Sequence, residues 1–322
     1  MARQGPTIAE AALELIRDRG PLTLDELVPP LVEAGRTKAR NPRNAVRAAI
    51  DINPEFIQDL EGRWCSLATQ LDGAVFTVRL TTLERREEIV LLRDDLALVE
   101  QLVLRTRGSA HGAGVHLDYL GDYFDLPLWS EDVDDVPDGE LRATIGEETA
   151  DSLLAFLDEL GVPPGDDGRR LREMVWETRF TRVLHGPAGW LPVVGSRQLL
   201  GIAISAGAIE TMTLDRRAIA GLHVEAAANR VARLAHHVIG PDPSWFGPPV
   251  VSLQELLEIV ATEAPELLRR PLPPFTEVVR RGGLEVVDGL VGHAGTDWDQ
   301  VRWAASPDPE EAWGFEPADV IH

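Results

Sequence analysis

Apolar residues recur every three or four positions in two stretches near the start of the chain, and this spacing predicts two helices. The first stretch covers residues 7–19 and ends before Gly20-Pro21, a pair that favours a turn. The second covers residues 24–34. Thr23 precedes it and Glu26 follows three positions later, which is the capping-box pattern typical of a helix start.

A third helix and a hairpin are predicted directly afterwards. Asn41 is suited to cap a helix and Pro42 to occupy its first position, so this helix runs from there to about Ile52. Two short extended runs, 56–60 and 63–67, then flank Glu61-Gly62 and predict a hairpin. Three helices followed by a hairpin is the order of a winged helix-turn-helix.

Residues 1–70 resemble the HARE-HTH family of winged-helix domains, which also occurs at the N-terminus of the RNA polymerase delta subunit. The residues that carry the resemblance are 7–12, 21–27, 41–52, 54–56 and 61–64. The match covers about a fifth of the chain and consists of pattern positions, not of an invariant chemical motif. It implies a helix-turn-helix role at DNA or at the transcription, restriction or modification machinery. It implies no catalysis, and it does not identify the other four-fifths of the chain.

Basic residues cluster around the start of the third predicted helix. In a helix-turn-helix this helix lies in the major groove, where an Asn amide can pair with a base edge. The candidate DNA-binding residues are Arg36, Lys38, Arg40, Arg43, Asn44 and Arg47. The partner predicted for them is double-stranded DNA, and the alternative is that they form an ordinary solvated helix face.

The rest of the chain is strongly acidic, which opposes DNA binding. Residues 1–70 carry nine Lys or Arg and ten Asp or Glu, a net charge of −1. The whole chain carries −22, so residues 71–322 carry −21. A field of that sign repels a polyanion. One alternative is therefore a protein–protein adaptor in a transcription, restriction or defence system, with a protein partner bound through the acidic body.

Short apolar runs and amphipathic stretches alternate along the remaining chain, and they predict an α+β fold with mixed helical and small-sheet regions. Helices are predicted at 149–160, 169–183 and 216–239. The strands of a small sheet or half-barrel are predicted at 190–194, 199–205 and 209–214. The predicted domains are the helix-turn-helix at 1–70 and a mixed α/β body at 71–240, followed by a proline-rich linker at 241–249.

The pattern of residues 250–300 again predicts two helices followed by a hairpin, and this order predicts a second winged-helix-like module. Ser252, with Glu255 three positions later, is another capping-box pattern and opens a helix to about Thr262. A short helix follows at 274–281, and Asp288-Gly289 between two apolar runs is a strong hairpin signal. The last residues, 306–322, are rich in Pro, Glu and Asp and predict a loose acidic tail.

No motif with a defined chemical role occurs in the sequence. It contains no GxxxxGK[ST] phosphate loop, no HExxH zinc helix and no GxSxG nucleophile elbow. His111, His116, Asp118 and Asp122 are residue types that bind zinc or iron, but their spacing matches no standard metal signature. No catalytic residue, metal or cofactor is therefore predicted. An enzyme with an unrecognised site in the body is the second alternative, since missing motifs do not exclude one.

Composition favours a cytoplasmic globular protein. The sequence has no run of about 18 uncharged apolar residues, so no membrane-spanning helix and no membrane partner are predicted. The N-terminus lacks the apolar segment typical of a secretory signal. The single Cys65 excludes an internal disulfide and is expected in the core. The sequence gives no oligomeric state.

Overall fold

The computed structural model describes residues 6–105, 115–123, 136–159, 165–195, 197–217, 219, 221–239 and 250–305. Within these ranges the protein combines helices with small antiparallel sheets, which confirms the predicted α+β class. No helix in the described ranges is long and apolar enough to cross a membrane. The linker predicted at 241–249 and the tail predicted at 306–322 lie outside the described residues.

The elements are numbered here in chain order. The described helices are α1 (Ile8–Arg19), α2 (Leu24–Glu33), α3 (Pro42–Asp51), α4 (Leu67–Gln70), α5 (Thr82–Glu87), α6 (Ala97–Arg105), α7 (Leu120–Tyr123), α8 (Asp138–Ile145), α9 (Glu147–Glu159), α10 (Asp167–Phe180), α11 (Leu222–Ile239), α12 (Leu253–Glu263), α13 (Pro265–Leu268), α14 (Phe275–Arg281) and α15 (Trp298–Ala305). The described strands are β1 (Phe56–Gln58), β2 (Trp64–Ser66), β3 (Val75–Val78), β4 (Ile89–Leu91), β5 (His116–Tyr119), β6 (Arg182–His185), β7 (Gln198–Ser205), β8 (Ala208–Asp215), β9 (Val250–Ser252), β10 (Leu284–Val287) and β11 (Leu290–His293).

The three N-terminal helices begin at the side chains that the sequence indicates. Thr7 and Thr23 each form a complete capping box, in which the hydroxyl and a glutamate satisfy backbone N–H groups that have no partner within the helix. The Asn41 side-chain oxygen accepts the Asn44 N–H at 3.2 Å and begins α3. The apolar faces of α1, α2 and α3 then enclose a core of their own.

The β1–β2 hairpin is buried on both of its faces. Phe56 and Trp64 pack into the core of α1–α3, with their rings edge to face at 6.3 Å. Ile57 and Cys65 alternate with them and join the main core of the rest of the molecule. Leu22, just before α2, bridges to Trp64 through two backbone hydrogen bonds of 3.1 and 2.7 Å. The hairpin therefore connects the N-terminal module to the remaining chain.

Two three-stranded sheets form the middle of the chain. β7 and β8 pair along their whole length, and β3 adds to the other edge of β7. The run 190–194, predicted as a strand, contains no strand, because Pro192 cannot donate a ladder hydrogen bond. The helix predicted over 169–183 ends at Phe180, because Arg182–His185 is the central strand between β4 and β5. α8, α9 and α10 pack on this second sheet around a separate core.

Residues 222–293 repeat the element order of the first 66 residues. In each case a helix precedes a strand position, a capped helix, another helix and a hairpin, and the C-terminal segment adds the short helix α13 after its capped helix. Leu22-Thr23 leads into α2 as Val251-Ser252 leads into α12. The second hairpin strand contacts this segment in each case, through the Leu22–Trp64 bridge to β2 and through the pairing of β9 with β11. Gly282 permits the close packing of α14 on α11, since an added Cβ would lie 2.9 Å from the Ala228 carbonyl oxygen.

The long helix of this repeat is shorter than the sequence predicts. A helix is predicted over 216–239, but α11 begins at Leu222. Asp215 accepts the Arg217 N–H at 2.8 Å in a local turn, which competes with helix formation. Gly221, with φ of 144°, then separates this turn from the helix. Arg216 and Arg217 consequently lie at the end of a strand and not on a helix.

Candidate nucleic-acid interface

Helix α3 turns one face to the core of its module and the other to solvent. Val46 and Ile50 lie one turn apart and are fully buried. Arg43, Asn44 and Arg47 are exposed. The polar face of the helix is therefore accessible over its N-terminal half, while the apolar face fixes its position.

Two of the predicted DNA-binding arginines are paired with carboxylates. Arg43 forms an ion pair with Asp25 of α2. The Arg47 Nε lies 3.3 Å from the Asp51 Oδ2, one turn further along α3. The four side chains are between 42% and 75% exposed, so both pairs are weak and solvent-screened. The guanidinium groups thus remain accessible to a competing anion.

The other predicted cations lie in the turn between α2 and α3. Lys38 and Arg40 are exposed, and neither has a carboxylate partner in the described part of the chain. Arg36 is half-buried, and its Nε is enclosed without a hydrogen-bond partner. Its backbone N–H donates to the Leu31 carbonyl at 2.9 Å, at the end of α2. Five of the six predicted residues therefore lie on the surface, and Arg36 lies partly inside.

The tip of the β1–β2 hairpin contacts the C-terminal repeat. Asp59 accepts the N–H groups of Glu61 and Arg63 at 3.1 and 2.8 Å, and also the Arg63 Nε at 2.7 Å. This turn ends the strand pairing at Gln58, so both strands are shorter than predicted. The Leu60 N–H donates to Glu263 of α12 at 2.9 Å. The hairpin tip is therefore held against another part of the protein.

In the C-terminal repeat, α14 is the helix before the hairpin, as α3 is in the N-terminal module, but its N-terminal end is covered. The backbone N–H and the hydroxyl of Thr276 both donate to the Asp95 Oδ1, at 2.5 and 2.6 Å. Glu277 lies 3.9 Å from the Arg79 guanidinium. Phe275 at the start of the helix is buried. Of these two equivalent helices, α3 is the one with an accessible N-terminal half.

The cysteine, histidine and aspartate residues singled out in the sequence form no metal site within the described residues. Burial raises the pKa of the Cys65 thiol to about 12, so the thiol stays protonated in the core, where the sequence places it. The His185 Nε2 lies 2.5 Å from the Asp118 Oδ2, and its ring lies 5.5 Å from that of His116. His111 and the side chain of Asp122 lie outside what the structure describes. Within the described ranges, no group of three or more His, Cys, Asp or Glu is arranged to hold a metal ion.

Sequence reasoning missed the two carboxylates beside α3. Asp51 follows Arg47 by four positions, and this spacing on a predicted helix is a readable signal for an ion pair. Asp25 lies 18 positions before Arg43, and it is the packing of α2 on α3 that brings the two together. The charge available to a DNA phosphate is therefore lower than the count of arginines indicates.

Comparisons with known proteins give no function for this chain, so a proposal of function rests on the geometry above. No protein-family model matches the chain, and no curated protein or solved structure matches it.

Proposed function

We propose that the N-terminal module is a winged helix-turn-helix that binds double-stranded DNA through α3, and that the protein is a DNA-associated regulator. The observation that supports this proposal is the accessible face of α3, which carries Arg43, Asn44 and Arg47. The N-terminal residues of a recognition helix are those that contact base edges. Arginine pairs with guanine and asparagine with adenine, so these side chains suit that task.

The hairpin contact restricts how the module meets DNA. Because the Leu60 N–H donates to Glu263, the hairpin tip is not available as a separate phosphate contact. Lys38 and Arg40, in the turn before α3, are the exposed cations closest in sequence to the helix. The proposed interface is therefore the turn and α3. The turn contacts phosphates, and the side chains of the helix contact phosphates or base edges.

Duplex binding by the full chain tests the proposal. A labelled duplex is titrated at salt concentrations from about 50 to 200 mM, the range over which phosphate contacts weaken strongly. R43E/R47E is expected to bind at least several-fold more weakly and with a flatter salt dependence, because two contacts are replaced by repulsion. Circular dichroism confirms that the variant remains folded.

The matched control is R230E/R233E on α11, two exposed arginines that form no ion pair within the described residues. It changes the net charge by the same amount at a different surface. Equal loss of binding in both variants would show a bulk charge effect and would refute a specific role for α3. Unchanged binding by a folded R43E/R47E would refute it as well.

The adaptor function is the second candidate, and exposed apolar residues beside the same helices favour it. Ile52 directly follows α3 and is 83% exposed, and Val32 of α2 is 40% exposed. Apolar contacts persist at high salt, whereas phosphate contacts weaken. If the wild-type chain binds no duplex even at the lowest salt, the exposed module is reassigned to protein contact.

A further inference from the structure

Three arginines line one pocket at the open end of the β7–β8 hairpin, and one of them is far from the other two in sequence. The strand register pairs Gln198 with Asp215. Arg197 and Arg216 lie one position beyond this pair, and the Arg216 N–H donates to the Arg197 carbonyl at 3.2 Å. Arg217 lines the same pocket as these two residues. The hairpin thus brings Arg197 to the same pocket as Arg216 and Arg217, which follow it by about twenty positions in the chain.

The pocket is open to solvent and has a volume of about 650 Å³. Its lining residues are Gly195, Arg197, Gln198, Asp215, Arg216 and Arg217. The Gly195 N–H donates to the Gln198 side-chain oxygen at 3.0 Å, and the Gln198 N–H donates to the Gly195 carbonyl at 2.9 Å. Asp215, the one carboxylate among the described lining residues, accepts the Arg217 N–H at 2.8 Å and holds the turn.

This arrangement of charge is unfavourable without a counter-charge. Like charges at opposite positions of two paired strands repel, and here they lie on Arg197 and Arg216. None of the three arginines forms an ion pair within the described residues. The chain nevertheless has 53 acidic against 31 basic residues, and many arginines elsewhere are paired, as Arg93 is with Glu84. The cluster at this pocket therefore indicates a binding site for an anion from outside the chain.

We propose that this pocket binds phosphate groups. Guanidinium groups present parallel N–H donors that match phosphate oxygens, and the pocket falls within the range of volumes that hold small ligands. The opposite end of the hairpin contacts the segment that follows the N-terminal module, since the Ala206 N–H donates to Asp72 at 2.8 Å. Eight-residue strands are roughly 25 Å long, so the pocket lies about that far from this contact. None of its described lining residues belongs to the N-terminal module.

Calorimetric titration of sodium tripolyphosphate into the full chain tests the site. R197Q/R216Q is expected to raise the Kd for tripolyphosphate by about tenfold or more, because two charge-assisted contacts are lost. R230Q/R233Q on α11 removes the same charge from an exposed helix face and is expected to bind as the wild type does. Equal binding by the wild type and R197Q/R216Q would overturn the proposal, as would an equal loss in the control.

Thermal unfolding gives an independent readout of the same site. R197Q/R216Q removes repulsion, so its midpoint without ligand is expected to equal or exceed that of the wild type. Tripolyphosphate is expected to raise the midpoint of the wild type and of R230Q/R233Q, but not that of R197Q/R216Q. A midpoint for R197Q/R216Q below the wild type would contradict the repulsion on which the inference rests.

The source of the phosphate group is decided by a second titration with labelled single-stranded and duplex oligonucleotides. If nucleic acid supplies it, R197Q/R216Q binds an oligonucleotide more weakly and tripolyphosphate competes with it. If a small polyphosphate compound supplies it, oligonucleotide binding by R197Q/R216Q is unchanged. The tripolyphosphate result does not depend on α3, so failure of duplex binding through Arg43 and Arg47 leaves this test intact.

Discussion

Glu84 is a buried carboxylate, and replacing it with glutamine is expected to destabilise the middle of the protein strongly. The residue is fully buried in the capping box that begins α5. Its Oε2 accepts the Thr81 N–H at 2.8 Å, the Thr81 hydroxyl at 2.9 Å and the Arg93 guanidinium at 2.7 Å. Its Oε1 accepts the Leu91 N–H at 2.9 Å. One carboxylate thus connects α5, β4 and the segment that follows β4.

The size of the expected loss in unfolding free energy follows from the hydrogen-bond acceptors that glutamine lacks. In E84Q the single amide oxygen can serve Thr81 and Arg93, and the new NH₂ group then faces the Leu91 N–H. The Leu91 N–H loses its acceptor, and an unsatisfied buried donor costs about 1–3 kcal/mol. Removing one partner of a buried ion pair costs about 3–5 kcal/mol, but the Arg93 side chain is 35% exposed and is partly hydrated. The expected loss in free energy of unfolding is therefore about 2–4 kcal/mol, between these two limits.

The chain provides a matched control for this substitution. Glu26 holds the same position in the capping box of α2, with the Thr23 N–H and hydroxyl both at 2.8 Å, but it is exposed. E26Q is therefore expected to shift the urea midpoint much less than E84Q does, because water replaces the lost acceptor. Both are measured by circular dichroism on the full chain. Equal shifts for the two variants, or no shift for E84Q, would refute the argument that burial sets the magnitude.

Further predictions concern the N-terminal module. Ile50→Ala removes a fully buried side chain and is expected to cost about 2–5 kcal/mol of unfolding free energy in urea denaturation; a negligible change would show that this face was misassigned. Because burial raises its pKa to about 12, Cys65 is expected to resist alkylation at pH 8 in the folded protein and to react once the protein is unfolded in urea. Hydrogen bonds from Thr7 and Thr23 lower the pKa of Glu10 and of Glu26. These carboxylates therefore contribute stability that is fully present above their ordinary pKa of 4.5 and is lost as the pH falls through their lowered pKa values. In E10Q/E26Q the free energy of unfolding is expected to fall less steeply with pH over that interval.

The sequence predicts the elements whose signals are local. α1, α2 and α3 follow from apolar spacing and from caps such as Thr23 and Asn41, and the turn at Asp288-Gly289 follows from residues that adopt positive φ. These signals need no information from distant parts of the chain. The class of the fold was therefore predictable, as was the exposed polar face of the third helix.

The features that the sequence does not predict depend on contacts between distant segments. The run 190–194 is apolar like a strand, but it is β3, more than a hundred positions earlier, that pairs with β7. Leu60 meets Glu263 only because the hairpin packs on α12. The pairing of Arg197 with Arg216 was in principle readable, since the turn at Ala206-Gly207 fixes the register of both strands. The sequence analysis missed this pairing because it predicted a helix beginning at residue 216.

The carboxylates beside α3 determine how strongly DNA binding should depend on salt. Each phosphate contact by a free cation releases counterions and contributes a slope of about −0.9 in log K against log salt. Four free cations would give a slope of about −3.6, and two would give about −1.8. Lys38 and Arg40 are free of ion pairs within the described residues, whereas Arg43 and Arg47 must exchange a carboxylate of the protein for a phosphate. That exchange releases fewer ions, so the slope of the wild type is expected to lie between these two values. Replacing the two carboxylates, in D25N/D51N, should steepen it toward the value for four, and an unchanged slope would show that Arg43 and Arg47 do not contact phosphate.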